Sequence, residues 1–196
     1  MTNAPTVGFA LCGSFCTFEE VIRALRAAAE IYNIIPIMSN TSAVTDSRFG
    51  KASDFKSEIE SICKRKVLVS LPDVEPIGPK KLLDLLVIAP TTGNTLAKLA
   101  SGISDTGVTL AYKAHLRNSR PVLIAISTND ALSNNAANIG VLLNRRNHFF
   151  VPFGQDDPSG KPTSLVADFS LIPDAIDAAL HGKQLQPILK AEKAGG

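Results

Sequence analysis

LLVIAPTTGNTLAKLASGISD, residues 85–105, is the stretch whose reading decides the fold. Leu85 to Pro90 is an apolar run of strand length, and its lack of alternation is what a strand buried on both faces requires. Pro90 is expected to end the strand, because it has no N–H to offer a central ladder. Thr91, Thr92, Gly93, Asn94 and Thr95 follow, all small, hydroxylated or amide-bearing, and Leu96, Leu99 and Ala100 then resume at helical spacing. A strand that breaks into a polar loop and feeds a helix N-terminus is the usual anion site of an α/β protein. First-turn N–H groups lack partners there, and the helix dipole is positive. The same residues also suit an ordinary strand-to-helix turn with a Thr or Asn cap.

Upstream, Thr6 to Cys12 reads as a strand ending at Gly13-Ser14, and Thr17 with Glu20 reads as a capping box opening a helix that runs to about Asn33. Ile34 to Met38 is a second strand, followed by the polar Ser39-Asn40-Thr41-Ser42. Phe49 to Lys64 is helical through Phe55, Ile59 and Ile62, Val67 to Leu71 a third, shorter strand, and Pro72 to Pro79 a proline-rich loop. Downstream, a helix restarts near Thr106, and Pro121 to Ile126 is a buried strand leading into Ser127-Thr128-Asn129-Asp130. Ala136 to Arg146 is helical, His148 to Pro152 a strand, Phe153 to Thr163 a loop, Leu165 to His181 a closing helix, and 190–196 a frayed tail. The alternation of strand and helix predicts an α/β, three-layer αβα, Rossmann-like (flavodoxin-like) fold with a parallel sheet. It is expected as a single domain over 1–196 with its core at about 5–182.

Composition narrows the function. A chain of 196 residues with 45% hydrophobic residues can bury one sizeable core, and a formal charge of +2 gives no footprint for nucleic acid. No run approaches the ~20 apolar residues of a membrane span, and no basic-then-apolar leader opens the chain, so a cytoplasmic location is expected. Cys12, Cys16 and Cys63 form no CxxC pair, and His115, His148 and His181 share no ligand spacing, so no metal is expected. Few histidines and no Ser, His and acid set argue against a hydrolase triad.

The strand ends place the polar loops Gly13 to Thr17, Ser39 to Ser42, Thr91 to Thr95 and Ser127 to Asp130 on one edge of the sheet, where such folds bind ligands. The first loop lacks GxGxxG. Gly160-Lys161 fails as a P-loop because Gly154 is one residue too far back and Pro162 replaces the hydroxyl. Cys16 is either a reactive thiol at a helix start or a space-filling residue.

Pro90, Asn94, Thr95, Ala97, Lys98, Ala100, Gly102 and Asp105 fall on the pattern P-A-S-A-N-T-x-A-K-x-A-x-G-x-x-D, and the chain thereby resembles the homo-oligomeric flavin-containing cysteine decarboxylases, a flavoprotein family. NDALSNNAANIG, LLNRRNHFFVPFGQDDP and KPTSLVADF extend the resemblance to one branch, whose members pair with an A-type partner to make pyridine-2,6-dicarboxylate during sporulation. The resemblance implies FMN, a homo-oligomer of trimers or their multiples, and an A-type partner with its own nicotinamide (NADP) site. It also implies a cytoplasmic role in the mother cell, and oxidation of a dihydropyridine dicarboxylate. Carried over by position, Gly13, Ser14, Cys16, Ser39, Thr92, Gly93, Asn94 and Thr95 would surround the flavin or its phosphate, and Ser127, Thr128 and Asn129 would line the pocket. Asn129 and Glu75 are the catalytic candidates. Asn129 stands where decarboxylases carry P-x-M-N, here Ile126-Ser127-Thr128-Asn129. Glu75 stands near where they place a histidine, which this chain lacks before His115. Lys98, Arg117, Arg145 and Lys161 are the cations that could meet two carboxylates. A flavin-dependent decarboxylase, a flavin prenyltransferase and a non-catalytic flavin-binding or scaffolding protein remain open as alternatives.

Overall fold

The computed structural model describes residues 4–190. Strand β1 (Thr6–Leu11), helix α1 (Phe18–Ala29) and β2 (Asn33–Met38) make the first crossover, and a short α2 (Asn40–Val44) and longer α3 (Ala52–Cys63) follow. A single helical turn, α4 (Leu71–Val74), precedes β3 (Leu85–Thr91), whose crossover carries two helices, α5 (Gly93–Ser101) and α6 (Gly107–Leu116). β4 (Val122–Thr128), α7 (Ala136–Leu143) and β5 (His148–Phe150) repeat the unit. β6 (Phe153–Gly154), β7 (Leu165–Ala167) and α8 (Ile172–Leu180) close it.

The parallel strands run in the order β2-β1-β3-β4-β5, so the winding reverses between β1 and β3. That is the flavodoxin-like order, and the crevice at the carboxyl ends of β1 and β3 is its natural ligand site. Every residue of β3 is buried, as its unbroken apolar run requires. α1 turns Val21, Ile22, Leu25 and Ala28 to the core and leaves Glu19 and Glu20 exposed in its first turn, where the dipole favours them. Phe18 is fully buried and meets Phe55 of α3 edge-on, at 5.2 Å between ring centroids.

Several local readings are corrected. Pro90 does not end β3: the strand continues through it to Thr91 across a register irregularity, the one kind of site where a central strand tolerates proline, and the Pro90 carbonyl accepts from Cys12 N–H. Val67 to Leu71 makes only an isolated bridge, Ile37 to Leu68, because Ser70 with Asp73 forms a capping box that starts α4. Pro72 and Pro76 fall in the first turns of α4 and of the 3-10 turn Glu75–Ile77, positions where a missing N–H costs nothing, so the expected loop is partly helical. Leu165 to Ala167 is not the start of the closing helix but a strand running antiparallel to the end of β4, Ser127 opposite Val166. Thr17 does not cap α1 with its side chain; its hydroxyl donates to Ser14 O at 3.0 Å, and Glu20 stays exposed. The tail expected to fray lies, from 191 onward, outside the described residues.

Candidate active site

Three helix starts converge beside the reversal of winding. Ser39, Asn40 and Thr41 at the start of α2, Thr92, Asn94 and Thr95 at the start of α5, and Thr106 and Thr109 at the start of α6 line one cleft of about 330 Å³ together with Cys12, Gly13, Lys98 and Val108. Each start is held by its own cap. Ser39 Oγ accepts from Ser42 N at 3.2 Å and Thr92 Oγ1 from Thr95 N at 3.3 Å, while Thr106 and Thr109 form a reciprocal box. The α6 start is pressed against the β2 side of the sheet: a Cβ on Gly107 would stand 2.3 Å from the Val69 carbonyl oxygen, so only glycine allows this approach. Such a cleft presents hydroxyls, an exposed amide and first-turn N–H groups, the donor set that receives a phosphate monoester.

Of the residues singled out by sequence, Gly13, Ser39, Thr92, Asn94 and Thr95 meet in this cleft. Ser14 and Ser127 meet one wall away, their hydroxyls 2.8 Å apart across the carboxyl end of β3, with Thr17 Oγ1 3.4 Å from Ser127 Oγ and exposed Cys16 at the edge. Gly93, at the start of α5, packs against the loop after β4. A Cβ on it would lie 2.5 Å from both Asp130 Oδ1 and Asn135 Nδ2 and 2.9 Å from Thr128 Oγ1. Those three groups bond one another, Thr128 Oγ1 donating to Asp130 Oδ1 at 2.6 Å and Asn135 Nδ2 to Asp130 Oδ2 at 2.8 Å. Asn135 was invisible to sequence reading, because nothing local marks a residue whose role is to brace a loop from the next helix. Thr106 and Thr109 were missed as cleft residues for a similar reason, the sequence having shown only a helix restart near Thr106.

Two candidates are not among the residues lining this cleft. Asn129 is exposed, and its backbone carbonyl accepts from Thr163 Oγ1 at 2.6 Å. Glu75 is exposed in a separate groove with Pro79, Leu110, Lys113, Ala114 and Arg117, because the turn that carries it packs on the flank of α6. Within one chain neither Glu75 nor Arg117 reaches the cleft. Arg145 is used internally: its guanidinium donates to Leu99 O, Ala100 O and Tyr112 Oη, satisfying the carboxyl end of α5. Lys161 pairs with Asp156 at 3.0 Å on the surface, which holds its ammonium above its ordinary range.

Lys98 is the one charged side chain lining the cleft among the described residues, its Nζ 2.9 and 2.8 Å from the two Asp105 oxygens. That pairing holds the Asp105 carboxyl below the usual carboxylate range. Burial pushes the Cys12 thiol up to about 11, against hydrogen bonds to Thr95 and Thr92, so it faces the cleft protonated at neutral pH. The histidines lie elsewhere. His115 Nε2 donates to Pro121 O at 2.9 Å. His148 Nδ1 donates to Arg146 O at 2.9 Å and its Nε2 accepts from Tyr112 at 2.7 Å, and His181 is exposed on the far end of α8. Among the described residues no group of three or more His, Cys, Asp and Glu is placed to hold a metal, and no helix is long and apolar enough to cross a membrane.

Comparison with known proteins follows the same lines. The Flavoprotein family model matches residues 1–170. The B subunit of dipicolinate synthase from Bacillus subtilis (strain 168) is 44% identical over 184 residues, 93% of this chain and 92% of that protein. The crystal structure of the dipicolinate synthase B subunit from Bacillus halodurans C superposes with a TM-score of 0.88 at 43% identity, covering 96% of this chain and 97% of that one. The FMN-dependent cysteine decarboxylase SpaF shares the fold at a TM-score of 0.66 and 22% identity, over 90% of this chain and 95% of that one.

Proposed function

This chain belongs to the Flavoprotein family, and from that premise we propose that it serves as the B subunit of dipicolinate synthase, taking part in oxidation of a dihydrodipicolinate-type intermediate to pyridine-2,6-dicarboxylate. The reaction is chosen by the likeness to the Bacillus subtilis protein, which runs almost end to end. The cofactor is chosen by one observation, the convergence of three helix starts on a single polar cleft with no dinucleotide fingerprint beside it. That cleft suits one phosphate, hence FMN.

Gly13, Ser39, Thr92, Asn94 and Thr95 would hold the phosphate and ribityl end, Ser14, Cys16 and Ser127 would face the ring side, and Gly93 and Thr128, packed against each other, would lie beside them. FMN, when bound, supplies a two-electron acceptor. Aromatising the ring removes a hydride and a proton, and among the described residues the cleft lining contains no histidine or carboxylate to take that proton. Cys12 stays protonated, Lys98 is paired with Asp105, and the histidines are remote. This supports a division of labour in which an A-type partner completes the site and brings a nicotinamide cofactor, NADP. Asn129, exposed directly after β4, is the residue of this chain we assign to meeting a substrate or partner. The protein is read as a homo-oligomer, a trimer or a multiple of trimers, in the cytoplasm of a sporulating cell.

Equilibrium titration with FMN, FAD and NADP tests the cofactor: FMN is expected to bind tightest, and tighter binding of either dinucleotide overturns the reading. The reaction is tested by mixing FMN-loaded protein with an A-type partner and following dipicolinate by its ultraviolet absorption. Formation is expected only with both present.

A further inference from the structure

A phosphate monoester carries close to two negative charges, whereas the cleft walls are almost wholly neutral. Lys98 is the exception, and its place on α5 follows from helix geometry. It stands four residues after Asn94 and three after Thr95, so it shares their face, and long helical side chains point back toward the N-terminus. An ammonium has three N–H donors. Two of those on Lys98 are directed at Asp105 Oδ1 and Oδ2, at 2.9 and 2.8 Å, and the third has no acceptor among the described residues. The side chain is 22% exposed and Asp105 55% exposed, so the cation lies on the cleft side of the pair and the acid on the solvent side.

We propose that Lys98 is the charge partner of the cofactor's phosphate, its unfilled donor completing the set of hydroxyls and helix-start N–H groups around Thr92, Asn94 and Thr95. The proposal rests on the flavin reading above. It assigns to one residue the discrimination of FMN from riboflavin, which lacks the phosphate but is otherwise the same molecule.

The test is fluorescence titration of the purified protein with FMN and with riboflavin, for the wild type, Lys98→Gln, Lys98→Arg and Asp105→Asn, each first shown by circular dichroism and melting to be folded. Lys98→Gln is expected to weaken FMN about ten- to a hundredfold, the worth of a charge-assisted hydrogen bond, and to leave riboflavin unchanged. It should also flatten the salt dependence of FMN binding. Lys98→Arg should recover most of the loss, and Asp105→Asn, which breaks the same ion pair but keeps the cation, should retain FMN. Equal weakening of both flavins by Lys98→Gln overturns the proposal, as does a loss of FMN in Asp105→Asn matching that in Lys98→Gln; either would make Lys98 a structural residue. Wild-type protein that binds FMN no better than riboflavin overturns it too, leaving the flavin reading in place. Protein that binds neither flavin defeats the flavin reading itself.

Discussion

Asn94 is exposed at the lip of the cleft, and its amide makes no hydrogen bond among the described residues. A free amide at a helix start serves a ligand or nothing, so Asn94→Ala is expected to leave the melting temperature unchanged and to weaken FMN by about 1–2 kcal/mol in titration. Gly93, its neighbour, behaves in the opposite way. The methyl of Gly93→Ala would meet Asp130, Asn135 and Thr128 inside 3 Å, groups locked to each other by hydrogen bonds. Overpacking of this kind costs about 1–3 kcal/mol, measurable as a lowered urea midpoint even without ligand. Sequence pointed to both residues through one polar loop. It could not separate them, because the difference lies in what α7 and the end of β4 bring to the other side of Gly93.

The start of α6 shows how an element shapes the site. Thr106 and Thr109 bond each other reciprocally, and both line the cleft. Thr106→Ala is expected to cost about 1 kcal/mol of stability through the lost cap, read from denaturant unfolding, and to weaken FMN as well. The junction of α6 with β5 responds to pH instead. Burial holds the His148 and His115 rings below the ordinary histidine range, and each is committed to hydrogen bonds that suit the neutral ring or leave no room for a second proton. An unfolded histidine titrates near 6.5, so below that pH the unfolded chain binds more protons than the folded one. Stability is therefore complete above about pH 6.5 and is lost as pH falls through 6.5 toward the depressed folded values. Melting temperatures measured from pH 7.5 down to 5 should fall. The fall should shrink in His148→Gln, whose side chain can still accept from Tyr112. A flat profile over that range would remove these rings from the account.

At the scale of the whole molecule, the FMN-dependent cysteine decarboxylase SpaF shares this fold. The segment Val74 to Lys81 carries no histidine, and Glu75 stands outside the cleft on the flank of α6. A general base needs hydrogen-bond reach to the proton it removes. FMN-loaded protein is therefore expected to release no carbon dioxide from a C-terminal cysteine peptide or from phosphopantothenoylcysteine, and turnover of either would return it to the decarboxylases. A cleft this open, built from short loop ends, excludes water poorly by itself. Sedimentation equilibrium at micromolar concentration should accordingly show an oligomer rather than a monomer.

The apolar run of β3, the polar loop after it and the helical spacing beyond were legible in sequence because each is a local pattern: burial on both faces, loss of apolar character, a helical period. So were the α/β class and four strand-end loops on one edge, since right-handed crossovers leave little choice. Tertiary structure alone decided the rest. Pro90 stays in its strand because the register breaks beside it, and Leu165 to Ala167 pairs as a strand because the end of β4 offers a free edge. Arg145 was withdrawn from the cleft by the open carbonyls of α5. Each of these depends on a partner distant in sequence or across a turn. A hydrogen bond or an ion pair is set by distance in space, of which local periodicity carries no record.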